Sequence, residues 1–252
     1  RDPFRGSRAR SPRRVRELTA DQESALGGIL HALRQARPRR ILLQGVTGSG
    51  KTEVYLRAMA ETVASGRGVI LLVPEIALTP QTIAYFRSFF GDQVAVLHSG
   101  LSLGERYDQW WRIYRGDVSI VIGARSAVFA PVRSLGLIIL DEEHESSYKQ
   151  EESPRYHARD VAWARAEQEG AVLILGSATP AVEVRSAADE GRCLLLTLPR
   201  RVHDRPLPGV ETVDMREELL SGNRSMFSRA LASRLEAALD RGEQAVLFMN
   251  RR

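Results

Sequence analysis

Residues 41–52 read Ile41-Leu-Leu-Gln-Gly45-Val-Thr-Gly-Ser-Gly50-Lys51-Thr52: a short apolar run, a glycine-rich turn, then Lys-Thr opening a helical stretch. The turn fits G-x-x-x-x-G-K-[ST] at every fixed position. Its glycines allow close wrapping, so that backbone N–H groups and a helix N-terminus face a bound phosphate group. Gly45, Thr47, Gly48, Ser49, Gly50, Lys51, Thr52 and Glu53 are therefore candidate nucleotide-binding residues. Lys51 is placed to reach the β- and γ-phosphates, and the Thr52 hydroxyl to ligate magnesium, which makes ATP and Mg2+ the expected cofactors.

Working outward, apolar runs alternate with helical stretches. Val69–Val73 precedes a helix from about Thr79, and Val94–Leu97 precedes one spanning roughly 102–115. Val118–Ile122, broken only by Ser119, and the continuous runs Leu137–Leu140 and Val172–Leu175 are apolar, as strands covered on both faces are. This predicts an α/β fold, a doubly wound and mostly parallel sheet with helices on both faces. Upstream, Leu18–Leu33 reads as a helix with Asp21 near a cap position. Around 193–215 the pattern weakens and reads as a connector with one or two short strands, before a helix from about Ser228 to Leu239. Trp110 and Trp111 read as amphipathic-helix residues facing the core.

The composition is ordinary for a globular chain, with 43% hydrophobic and 27% charged residues. No run is long enough for a membrane span, and a cytoplasmic location is the default expectation. The single cysteine, Cys193, excludes an internal disulfide or a multi-cysteine zinc site within these residues. Net charge is +5 and rests on arginine, since Lys51 and Lys149 are the only lysines. That bias reads either as a background preference or as a surface attractive to phosphate backbones. In such a chain a lysine kept in the glycine-rich turn points to the need for a compact ammonium. Residues 1–16 carry seven arginines and read as a basic linker. The arginine at position 1 and the apolar run 244–250 suggest a piece of a longer protein.

Leu137-Ile-Ile-Leu-Asp141-Glu142-Glu143-His144 is an apolar strand ending in acids. Strand C-termini are where ligands bind in open α/β sheets. Asp141 is the candidate magnesium ligand and Glu142 the candidate base for the attacking water, which with Lys51 makes the catalytic set. His144 is read either as coupling this site to the next segment or as a helix cap. Ser177-Ala-Thr179 follows another buried strand. Gln22 suggests an adenine contact upstream, although alone it reads as a surface helix residue.

The order of Gly45–Thr52, Val73-Pro74-Glu-Ile-Ala-Leu-Thr-Pro80, Gly123-Ala-Arg125-Ser126-Ala127, Asp141–His144 and Ser177–Thr179 resembles a superfamily 2 helicase. Leu72–Gln81, His98-Ser-Gly100, Tyr148-Lys149-Gln150 and Arg155–Asp160 bring it close to the primosomal N′ family of bacterial replication-restart DNA helicases. The resemblance covers roughly residues 15–252. It implies a RecA-like P-loop lobe over 17–198, a connector over 199–243 and the first strand of a second lobe over 244–252. It further implies DNA, forked or single-stranded, as substrate, 3′→5′ movement, and primosome and single-strand-binding proteins as partners. The alternatives are another superfamily 2 translocase or RNA helicase, and a DNA-binding loading platform without a motor. A zinc-binding segment is implied only beyond residue 252. Pro74, Arg125 and Ser126 match the family's DNA-contacting segments. Tyr148, Lys149 and Tyr156 lie in its aromatic-rich loop, which links DNA engagement to hydrolysis, and His144, Ser177 and Thr179 in its coupling motifs. Gln22 matches a residue near the adenine. Ser153-Pro154 departs from the pattern where some relatives carry an aromatic, leaving Tyr148, Tyr156 and Trp163 as the aromatics of this stretch.

Overall fold

The computed structural model describes residues 17–35, 37–202 and 209–249, so the expected basic linker over 1–16 and residues 250–252 lie outside the described residues. The chain divides into two compact units, 1–205 and 206–252. The first begins with α1 (Ala20–Arg34), β1 (Arg39–Gly45), α2 (Lys51–Ala64) and β2 (Gly68–Leu72). It continues through α3 (Pro80–Phe90), β3 (Val94–Leu97), α4 (Leu103–Arg115), β4 (Ile120–Gly123) and β5 (Leu135–Asp141). A two-stranded antiparallel hairpin, β6 (Lys149–Gln150) and β7 (Tyr156–His157), precedes α5 (Ala158–Glu169), β8 (Val172–Ser177), α6 (Val182–Asp189) and β9 (Leu194–Leu198).

Seven strands form one parallel sheet in the order β3-β4-β2-β5-β8-β1-β9. Because side chains alternate along a strand, one continuous apolar run supplies two cores. Ile41 and Leu43 pack with Ile29, Met59 and Phe86 of α1, α2 and α3. Leu42 packs on the other face with Ile113 of α4, the alanines 158, 162 and 166 of α5, and Val184 of α6. The doubly wound α/β expectation holds. Among the described residues no helix is long and apolar enough to cross a membrane.

Several local readings are corrected. The cap of α1 is Thr19, not Asp21: its hydroxyl accepts from Gln22 N and the Gln22 side chain accepts from Thr19 N, a reciprocal box. Gln22 is accordingly buried rather than a surface residue. Residues 194–198 are not a connector strand; they pair in parallel with β1 and extend the main sheet. Trp110 is exposed and stacks on Tyr114, with Tyr107 also outside, so Trp110 is not core, whereas Trp111 is half-buried with its Nε1 enclosed; the buried residues of α4 are Gln109 and Ile113.

The second unit contains α7 (Met215–Leu220) and α8 (Arg229–Asp240), capped by the Asp214 and Ser228 side chains. Residues 243–249 belong to no helix or strand, and Val246 and Phe248 are exposed. The strand expected from 244 is not formed among the described residues, because no neighbouring strand offers it a ladder.

Breaking the α1 box should have a measurable cost. Thr19→Ala is expected to remove about 1 kcal/mol, a fall of about 2–4 °C in the thermal midpoint for a domain of this size. An unchanged midpoint would show that Gln22 needs no cap to stay in place.

Candidate active site

The glycine-rich turn lies between β1 and α2. Gly48 and Gly50 both take left-handed backbone with φ of 82°, which residues with a side chain rarely adopt. A side chain on Gly50 would also overlap Gln22 Nε2. That amide donates to Ser49 O at 2.8 Å, so Gln22 braces the turn from α1 while its other end holds Thr19. Thr47 and Gly48 are exposed at the crest, whereas Ser49 is buried with its Oγ unpartnered. Glu53 points along α2 and pairs with Arg57 at 3.2 Å, and Thr52 is half-buried beside Asp141 in one cavity of about 460 Å³.

Level register brings the acids to the same rim. β1 pairs with β8 through Gln44 and Ser177, and β8 pairs with β5 through Gly176 and Asp141. Asp141 thus ends two strands away from the glycine-rich turn. Its Oδ1 accepts from Tyr55 Oη at 3.0 Å, and its backbone O from Tyr148 Oη at 2.7 Å. Burial first, and then the neighbouring Glu142 charge, raise the Asp141 pKa, while Tyr55 and Lys51 act in the opposite direction. Both phenols are pushed up in turn by burial and by Asp141, so they remain hydrogen-bond donors.

Glu142 has left-handed backbone, φ 47°, rare for a residue with a side chain. Its Oε1 lies 3.4 Å from Lys51 Nζ, which also donates to Gly45 O at 3.3 Å. The three proposed catalytic side chains therefore converge. Glu143 is only 1% exposed and is tied on three sides. Its N–H donates to Gly176 O, its Oε1 accepts from Ala181 N at 2.7 Å, and its Oε2 faces Arg159 Nη1 at 3.3 Å. His144 meets Ser177 Oγ at 2.7 Å, with Thr179 Oγ1 at 3.5 Å from its other nitrogen. It therefore joins the acidic turn to the loop after β8 and caps no helix.

The residues expected at a nucleic-acid face divide differently. Ser126, Lys149 and Thr179 are exposed. Pro74 is buried beneath its segment, and it is Glu75 and Ile76 that face outward. Tyr148 is fully buried and cannot stack on a base. Tyr156 packs edge-on against Phe129 at 5.1 Å, and Trp163 lies under the Arg40 guanidinium at 3.9 Å. Arg125 is engaged: Nη1 donates to Lys149 O at 2.6 Å and to Ser147 O at 3.2 Å, clamping the hairpin. Sequence reasoning passed over Tyr55, Glu143 and Arg159, whose partners lie 86, 38 and 16 residues away.

The residues fit a magnesium nucleotide. A buried carboxyl whose ionised form is disfavoured by its surroundings gains from a cation beside it, and the unpartnered Ser49 hydroxyl and left-handed glycines form an anion cradle. Magnesium commonly takes one or two protein ligands and completes its shell from phosphates and water. The described residues contain no cluster of three or more His, Cys, Asp or Glu that could hold a metal without such help.

The chain is 52% identical over its whole length to the replication restart protein PriA of Bacillus subtilis (strain 168), of which it covers 31%. It is 52% identical over 241 residues, 94% of the chain, to the PriA of Synechocystis, covering 29% of that protein. The chain thus spans about a third of the length of these relatives. In fold it is similar to RecG bound to a three-way DNA junction, with TM-score 0.57 and 23% identity over 82% of this chain and 28% of RecG. It is also similar to the helicase MrfA bound to DNA, with TM-score 0.53 and 19% identity over 75% of this chain and 28% of that one. The model of the DEAD/DEAH box helicases matches residues 19–187, two thirds of the chain, with both the glycine-rich turn and the acidic turn inside the match, and the chain belongs to that family.

Proposed function

We propose that this chain is the ATP-hydrolysing lobe of a replication-restart DNA helicase that couples hydrolysis to 3′→5′ movement along DNA and to strand separation. The observation that carries the reading is the convergence of Lys51, Asp141 and Glu142 on one rim of the sheet, with Lys51 Nζ 3.4 Å from Glu142. The similarity to replication restart proteins supports the restart role. Primosome proteins and single-strand-binding proteins are the proposed partners.

The chemistry follows from the side chains. Backbone N–H groups of residues 45–52 and the N-terminus of α2 hold the phosphates. Lys51 leaves Glu142 for the incoming β- and γ-phosphates, which frees the Glu142 carboxylate to orient water and accept its proton. Magnesium, held by Thr52 and Asp141, would neutralise charge developing on the transferred phosphoryl group. Tyr55 fixes the Asp141 carboxylate so that its orientation is set before ligand arrives.

The hairpin supports a DNA-coupled motor over an unrelated ATPase. Arg125 clamps it on one side, while the helix that comes after it carries Arg159 to the buried Glu143 beside the base. A strand bound across Ser126 and Lys149 would press on this lever.

Three sets of variants of the intact protein test the reading. Lys51→Ala should lower ATP turnover by about 10²–10³; turnover near wild type would remove the phosphate loop from the mechanism. Glu142→Gln should keep nucleotide binding and lose hydrolysis, whereas Asp141→Asn should lose the magnesium dependence of binding. Titration of a fluorescent ATP analogue with and without magnesium separates the two, and identical behaviour would refute the division of roles. Arg125→Lys should lower DNA-stimulated ATPase more than basal ATPase, because an ammonium cannot hold two carbonyls in the guanidinium's fork. Lys149→Ala should instead flatten the salt dependence of single-strand binding by about 0.7 in log–log slope. An unchanged slope would place Lys149 off the DNA.

A further inference from the structure

The segment after β9 lies across the phosphate loop. β9 is the edge strand beside β1 and runs parallel to it, so its C-terminal end emerges at the rim where the loop begins. Two backbone hydrogen bonds fasten the segment there: Val46 N donates to Leu198 O at 3.2 Å, and Val202 N donates to Gly48 O at 3.0 Å. Arg200 is held by Asp21 of α1 through a pair of hydrogen bonds at 3.0 and 3.1 Å. Val202 comes within 3.2 Å of where a side chain on Gly50 would begin. Residues 198–202 are thereby fixed at four points.

Arg201 is fixed along with them. Its Cγ lies 3.9 Å from where a side chain on Gly48 would begin, at the crest of the loop. Its Nε is buried and has no hydrogen-bond partner among the described residues. A buried guanidinium N–H without an acceptor is costly and calls for an oxygen, best an anionic one. Ser49 Oγ, in the same loop, is the other buried polar atom there that lacks a partner. Gln22 is committed at both ends of its amide, to Thr19 N and Ser49 O. Lys51 approaches from the helix side, where it is occupied by Gly45 O and Glu142.

We infer that Arg201 is a direct ligand of the nucleotide's diphosphate, closing over the loop opposite Lys51 and completing the site from beyond the last strand. The inference rests on the reading of residues 45–52 as the nucleotide site. Because Arg201 grips oxygens common to ADP and ATP, it acts on ground-state binding and not on the γ-phosphoryl transfer itself. An interaction made equally in ground and transition states changes KM and leaves kcat.

The test compares the intact wild-type protein with Arg201→Ala and Arg201→Lys. A fluorescent ADP is titrated and then displaced with inorganic pyrophosphate, and thermal midpoints are recorded alongside. Arg201→Ala is expected to weaken ADP and pyrophosphate in parallel, by about ten- to a hundredfold, the range of a charge-assisted hydrogen bond. KM for ATP should rise accordingly with kcat within about twofold, and Arg201→Lys should recover part of the affinity. ADP weakened with pyrophosphate unchanged would mean a contact to the base and would overturn the assignment. So would unchanged affinity for both, or losses matched by a lowered midpoint in both variants. If the wild type bound no ADP at all, it is the nucleotide reading of the loop that would fail first.

Discussion

Gly176 has no side chain, and the rim that carries Lys51, Asp141 and Glu142 is organised around the space this leaves. A Cβ there would overlap the Tyr55 hydroxyl, which instead passes over β8 from α2 to reach Asp141. The contact ties the helix behind the phosphate loop to the strand carrying the acids, across a strand that belongs to neither. It works only because β1, β8 and β5 are in level register, with Gln44 opposite Ser177 and Gly176 opposite Asp141. A slip of one residue would turn Asp141 to the other face. The register is held in turn by the two apolar cores, which leave each strand one allowed orientation.

Beyond Asp141 the backbone makes an unfavourable turn at Glu142 and is immediately locked by its successors. Positive φ at a residue with a side chain costs on the order of 1–3 kcal/mol and survives where neighbours over-determine it. Glu143 supplies three such ties and His144 another. Burying a charged pair such as Glu143–Arg159 gains little net stability, because desolvation offsets the attraction. Its use here is positional. The carboxylate joins three separate segments, the acidic turn, the Ser177–Ala181 loop and the start of α5, and so holds the turn that carries Glu142.

The fold class and the two chemical turns are legible in the sequence because each is local: a glycine pattern between strand and helix, and acids at the end of an apolar run. Tyr55 is not, since inside α2 it reads as one more core residue and its partner is 86 positions away. Glu143 is hidden in an acidic run whose sequence singles out Asp141 and Glu142, yet it is the buried member. Tyr148 and Pro74 carry the right residue types for a nucleic-acid face but lie underneath it, which composition cannot disclose. Trp110 of α4 fails the opposite way: an amphipathic pattern tells which residues share a face, but not whether that face meets the sheet. The strand over 194–198 reads as a connector because Pro199 and two arginines come directly after it, whereas its pairing depends on β1, far back in the chain.

The ion pair between Lys51 and Glu142 gives the rim a resting state. The lysine proposed for phosphate and the carboxylate proposed for water lie 3.4 Å apart, each neutralising the other. In the proposed reaction, Glu142 is engaged by the Lys51 ammonium, and not by water, until phosphates arrive. On that proposal, arriving phosphates would draw Lys51 away and leave the Glu142 carboxylate free to face the attacking water. Only the carboxylate's environment has to change, because the strained backbone and the Glu143 ties already hold it in place. On the proposed function, the same pair of side chains would hold back idle hydrolysis and arm the site on binding through one short contact.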